Sequence, residues 1–205
     1  METLTALKML VEEMHSAAVA TIGGDGRPCI RVIDMMLYDD EGVYFLTAKG
    51  KEFYSQLMSQ KYIALSAVKD KKSVSLRGYV KSVGKYKLDE IFAKNVYMQS
   101  IYPEGTRDAL EVFLIYRASG GYFDISDPSN VTRGSFYIGD YKGNAKRYFV
   151  KDNCTGCSLC LDVCPQKCID VVAKHVKIDF GRCLSCGNCI EICPSGAITV
   201  KYDAE

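Results

Sequence analysis

The chain has 205 residues, 48% of them apolar, and its 26 basic residues nearly balance 25 acidic ones to leave a net charge of +1. That composition excludes a disordered chain, and the balanced charge excludes nucleic acid and an anionic membrane as partners recruited by overall charge. No apolar stretch is long enough to span a bilayer and no basic segment precedes the first apolar run, so a cytoplasmic, reducing location is expected, where clustered thiols bind metal more often than they form disulfides.

From Thr3 to His15, Leu4, Leu7, Leu10, Val11 and Met14 recur at helical spacing and predict an amphipathic helix. The period then changes to that of strands: Ala17 to Ile22 and Pro28 to Tyr38 flank a glycine-rich turn over Gly23 to Gly26, and a second turn at Asp39 to Gly42 leads into Val43 to Thr47. A short helix is expected over Lys51 to Gln60, then strands over Tyr62 to Val68 and Ser73 to Val83, then a helix over Leu88 to Ser100. Glu111 to Arg117 and Gly121 to Ile125 read as a last hairpin about Ser119 and Gly120. So many strands joined by short turns close most simply as an antiparallel barrel, which leaves no exposed edges.

Between Asp127 and Lys151 the pattern weakens, and a linker or wrapping arm is expected. The expected organisation is a barrel domain over residues 1–138, a linker over 139–150 and a second small domain over 151–205. So short a second domain has too small an apolar core to fold without a staple.

Nine of the ten cysteines lie in that last segment or at its start. Cys154, Cys157, Cys160 and Cys164-Pro165 follow the spacing C-x2-C-x2-C-x3-C-P, and Cys183, Cys186, Cys189 and Cys193-Pro194 repeat it 29 residues later. Three closely spaced cysteines can wrap one [4Fe–4S] cluster while the fourth reaches the other. The spacing therefore assigns Cys154, Cys157, Cys160 and Cys193 to one cluster, and Cys183, Cys186, Cys189 and Cys164 to a second. Zinc is the competing reading, but zinc modules set two pairs of cysteines apart by a longer loop. The segment from Asn153 to Val200, with its ending Cys193-Pro194-Ser195-Gly196-Ala197-Ile198, closely resembles bacterial-type two-cluster ferredoxins. It departs from them at Cys168, where a small residue is common; Cys168 is read as a packed free thiol, with a rearranged ligand set as the alternative. Cys29, alone on a strand, is read as a buried small hydrophobe.

Arg27-Pro28-Cys29-Ile30-Arg31-Val32-Ile33, Val43 to Lys51, Gln56-Leu57 and Ser75-Leu76-Arg77-Gly78-Tyr79-Val80 resemble the pyridoxamine 5′-phosphate oxidase-like FMN-binding split barrels. The resemblance implies a mainly β fold, an antiparallel split β-barrel with flanking helices, followed by the small α+β two-cluster ferredoxin-like domain. It also implies FMN at a homodimer interface. A flavin phosphate needs converging cations and hydroxyl or amide donors, which Arg31, Thr47, Lys49 and Lys51 could supply, while the backbone of Arg31, Val32 and Ile33 could bond the flavin's polar edge, and Arg77 is counted with these cofactor-binding residues. Haem or deazaflavin F420, used by related barrels, are the competing ligands. The segment Asn130 to Phe136 lacks the histidine of the substrate motif in the oxidase proper, which disfavours vitamin B6 oxidation. His15 and His175, the chain's two histidines, are read as a helix-end and a surface residue. Flavin and clusters together imply an oxidoreductase that passes electrons between one-electron carriers and a two-electron flavin site, its partner being a redox protein or a small-molecule donor or acceptor. A non-enzymatic redox sensor or carrier is the alternative.

Overall fold

The computed structural model describes residues 3–141 and 146–202. They form two units, Met1–Tyr122 with Ser135–Tyr141 and Phe123–Gly134 with Lys142–Glu205.

The first unit begins with α1 (Thr3–Lys8), which continues as a π-helical stretch over Met9–Met14 and stops at His15, whose φ of 65° no helix can continue. Next come β1 (Ser16–Ile22), β2 (Pro28–Asp39), β3 (Gly42–Ala48), α2 (Glu52–Gln60), β4 (Tyr62–Lys69) and β5 (Lys72–Gly84). Helices α3 (Leu88–Lys94) and α4 (Met98–Ile101) follow, then β6 (Leu110–Asp124) and β7 (Thr132–Ile138), both of which run across the boundary between the units. The strand order is β3-β2-β1-β4-β5-β6-β7, and β3 also pairs with β6, so six strands close into a barrel with β7 added beside β6.

Strands β1, β4 and β5 alternate: Val19, Leu65 and Leu76 are buried in the barrel while their neighbours face out. Strand β3 and the first half of β6 are buried on both faces. Val43, Phe45, Phe113 and Ile115 fill the barrel, and Tyr44, Leu46, Val112 and Leu114 pack outward against Leu88, Ile91, Phe92 and Met98 of α3 and α4. Double-sided burial explains why β3 reads as a continuous apolar run.

Three expectations are corrected. The helix over Leu88 to Ser100 is two helices, broken where the buried Asn95 amide donates to the carbonyls of Met36 and Ile91, each at 2.9 Å. The hairpin about Ser119 and Gly120 does not form, because β6 runs straight through; the Phe136 ring lies over Gly120, where a Cβ would come within 2.2 Å of it. Part of the arm expected over Asp127 to Lys151 is strand: β7, which lies beside the preceding strand β6, and β8 (Lys146–Val150), whose partner strand, Ile198–Tyr202, follows too far along the chain for a local pattern to reveal.

The second unit is built on the cysteine repeat. Helix α5 (Leu159–Asp162) leads to the hairpin of β9 (Ile169–Val172) and β10 (His175–Ile178), which pair antiparallel from His175 opposite Val172 to Ile178 opposite Ile169. Helix α6 (Asn188–Glu191) leads to β11 (Ile198–Tyr202), which pairs antiparallel with β8. Its core is small: Tyr148, Ile169, Val176, Ile178 and Ile198 pack with cysteine side chains. No helix among the described residues is long and apolar enough to cross a membrane.

Candidate cofactor sites

In the second unit the two halves fold alike because the same positions take the left-handed conformation. Gly156 and Ser185, Ser158 and Gly187, and Lys167 and Gly196 stand 29 residues apart and all have positive φ, from 47° to 92°. These bends fold each short cysteine loop back on itself, and α5 and α6 then carry Cys160 and Cys189 inward, where both are buried. Among the described residues no group of three His, Cys, Asp or Glu closes on a single metal ion. The cysteines instead face two cavities. Cys154, Cys157, Cys160 and Cys193 line the first, beside Val176 and Ile198. Cys164, Cys183, Cys186 and Cys189 line the second, together with Cys168. Each cavity thus takes three cysteines from one run and the fourth from the other.

Hydrogen bonds hold both displaced cysteines below the ordinary thiol value. Burial pushes the Cys193 thiol up, but hydrogen bonds from the Ser195 hydroxyl and the backbone N–H groups of Ile198, Ala197 and Ser195 outweigh it and hold the thiol at about 7. At Cys164, too, burial is outweighed by hydrogen bonds, from the backbone and thiol of Cys168 and the backbone of Gln166 and Lys167, and the thiol sits below its ordinary value. Burial prevails at Cys160 and Cys189 and pushes them up, Cys189 to about 11. It also dominates at Cys168, which rises to about 12.

Two residues of this site carried no signal in the sequence. The Arg133 guanidinium donates to the Cys183 carbonyl at 3.0 Å and to Ser185 Oγ at 3.1 Å, and its backbone N–H donates to the Gly181 carbonyl at 2.9 Å. The buried Tyr148 donates its hydroxyl to the Ser185 carbonyl at 2.8 Å. Both brace the second cysteine loop from segments that precede the first cysteine. His175 is exposed, as expected, and Cys29 is half-buried rather than buried.

In the first unit, Arg31 is held in place before any ligand arrives. Its guanidinium donates to Thr21 Oγ1 and, at 2.9 Å, to Gln56 Oε1, and it stacks 4.6 Å from the centre of the Phe53 ring. Thr21 and Gln56 are buried, and the Thr21 hydroxyl donates in turn to Gln56 at 2.5 Å. Thr47 is 4% exposed and its hydroxyl has no hydrogen-bond partner among the described residues, a costly arrangement that a ligand oxygen would relieve. Lys51 caps the start of α2, the helix that carries Gln56 and Phe53, so the junction from Thr47 to Lys51 and the Arg31 cluster adjoin one element. Lys49 lies 3.6 Å from the Glu111 carboxylate, which also accepts from Tyr54 at 3.1 Å and from Ser82.

The edge of β2 matters as much as its side chains. Residues 28–34 pair with β1, and β3 pairs only from Met35 onward, across a bulge between Met35 and Leu37. The far edge of Arg31, Val32 and Ile33 therefore has no strand beside it among the described residues, which leaves backbone groups open to a ligand. Arg77 is not brought to this cluster. In the register Ile30–Ala20–Ala64–Arg77 it shares the outward face, and Arg31 faces the opposite way.

A family model described as pyridoxamine 5′-phosphate oxidase matches residues 4–122, and one described as a 4Fe-4S dicluster domain matches residues 153–197. Among solved structures, a NimC/NimA family protein from Clostridium acetobutylicum is similar, with a TM-score of 0.55 and 16% identity over 66% of this chain and 92% of that one. A protein from the same organism related to general stress protein 26, of the pyridoxinephosphate oxidase family, has a TM-score of 0.51 and 20% identity over 66% of this chain and 94% of its own. PhzG from Burkholderia lata 383, in complex with tetrahydrophenazine-1-carboxylic acid, has a TM-score of 0.50 and 15% identity, covering 67% and 92%. At such identities the likeness is one of fold alone. Among curated proteins, none matches the chain.

Proposed function

The chain belongs to the pyridoxamine 5′-phosphate oxidase family, and from that premise we propose that it is an oxidoreductase holding FMN in its barrel and two [4Fe–4S] clusters in its tail. The observation that supports this reading is the sorting of the eight motif cysteines between two cavities, three from one run and the fourth from the other in each, with Cys168 as an additional cysteine in the second. Clusters pass single electrons and a flavin accepts one or two, so one chain with both couples one-electron carriers to two-electron chemistry.

Each part of the chain has a task in this reading. Cys154, Cys157, Cys160 and Cys193 ligate one cluster, and Cys183, Cys186, Cys189 and Cys164 the other. Arg31, Lys49 and Lys51 neutralise the flavin phosphate, Thr47 donates its unpartnered hydroxyl, and the open β2 edge at Arg31 to Ile33 bonds the flavin's polar rim. Arg77 and the exposed Ile30, Val32 and Tyr79 lie on the outward face, which we assign to a second copy of the chain. The oxidation that names the family is not part of the proposal, because residues 130–136 contain no histidine.

The test is anaerobic purification with an absorption spectrum and quantitation of iron, sulfide and flavin. About eight iron and eight sulfide per chain are expected, with one FMN bound. Zinc in the tail, or haem or F420 in the barrel, would overturn the corresponding half of the assignment.

A further inference from the structure

The second cavity holds one cysteine too many. Five cysteines line it, whereas four line the first. The fifth, Cys168, is 2% exposed, and its Sγ lies 3.5 Å from that of Cys164. Its counterpart 29 residues on is Ala197, which is fully buried. The backbones of the two positions are held alike, since the Cys168 carbonyl accepts from Asp179 N–H at 2.8 Å and the Ala197 carbonyl from Lys151 N–H at 2.9 Å. An alanine therefore fits this place in the fold, and the thiol of Cys168 is an addition that packing does not require.

We propose that Cys168 is a fifth cysteine of the second site, able to replace Cys164 as the ligand that completes the set. The proposal rests on the assignment of a [4Fe–4S] cluster to that cavity. The exchange breaks one iron–sulfur bond, to Cys164, and forms one, to Cys168. The proton of the Cys168 thiol passes to the departing Cys164 thiolate across their direct contact, so the charge of the site is unchanged and no electron moves. A rotamer change at Cys168 with a small backbone adjustment brings its sulfur to the vacated corner. The first site, with Ala197 at the equivalent position, has no such reserve.

Iron and sulfide counts, together with the electron paramagnetic resonance spectrum of the reduced protein, test this without any assay of activity. Full-length wild-type protein prepared anaerobically should hold about eight iron per chain. Cys164→Ala should keep about eight and Cys164→Ala/Cys168→Ala only about four, each cluster containing four iron. In the first site, Cys193→Ala should fall to about four, and adding Ala197→Cys should restore about eight. About four iron in Cys164→Ala overturns the proposal, and should that variant not fold, failure of Ala197→Cys to rescue Cys193→Ala overturns it instead. A wild-type protein with fewer than two clusters would refute the cluster assignment itself, and this inference with it.

Discussion

Thr47 and Arg31 allow the barrel site to be tested one side chain at a time. Replacing Thr47 by Val keeps the shape and removes a buried hydroxyl that has no partner among the described residues. Stability of the flavin-free protein should hold or rise by about 1 kcal/mol, while FMN affinity falls about fivefold, since the hydroxyl is satisfied only in the complex. Urea denaturation and a flavin fluorescence titration measure the two, and equal FMN affinity would remove Thr47 from the site. Arg31→Ala should weaken FMN binding by about ten- to a hundredfold, the equivalent of about 1.5–3 kcal/mol for a charge-assisted contact. It should also destabilise the flavin-free protein, because Arg31 braces Thr21 and Gln56 in the absence of any ligand. Unchanged affinity would mean that the phosphate sits elsewhere.

Among the elements, the cysteine loops with α5, α6 and the β9–β10 hairpin have the least apolar support of their own. Their core is assembled largely from the cysteines, so bound metal should contribute much of the folding energy. Chelating the iron should therefore abolish amide protection over residues 169–178 while β1, β4 and β5, which wrap an apolar interior, keep theirs. Hydrogen exchange followed by mass spectrometry resolves the two regions. Persistent protection of the hairpin in iron-free protein would show that its apolar core suffices.

For the whole molecule, two properties follow from the proposed function. Ile30→Lys places a charge on the outward face, where Ile30 is 74% exposed, and should convert a dimer to monomer in sedimentation without unfolding the barrel. A wild-type protein that is already monomeric would refute the assignment of that face. Electron delivery provides the second test. A reduced ferredoxin should reduce the flavin of the wild type rapidly and that of Cys157→Ala/Cys186→Ala slowly, while a small two-electron reductant treats both alike. Equal rates with the protein donor would favour a sensor, in which the clusters report redox state without feeding the flavin.

The cysteine runs, their 29-residue repeat and most barrel strands are legible in the chain before folding, because these depend on covalent spacing and on the alternation of side chains along one strand. The sequence also marked Arg31 and Thr47 to Lys51, through resemblance to a family of barrels. Tertiary structure alone decided which residues hold Arg31, since Thr21 and Gln56 lie 10 and 25 residues from it. In the same way it separated Arg77 from Arg31, because the side of a sheet a residue faces relative to a distant strand is set by register, which the intervening pairings fix. Strand β8, Tyr148 and Arg133 entered the tail for that reason too: their partners follow much later in the chain, and no local period encodes them. Cys168 shows the same division, for the sequence marked it as a departure from the ferredoxin pattern, and only folding set its sulfur beside that of Cys164.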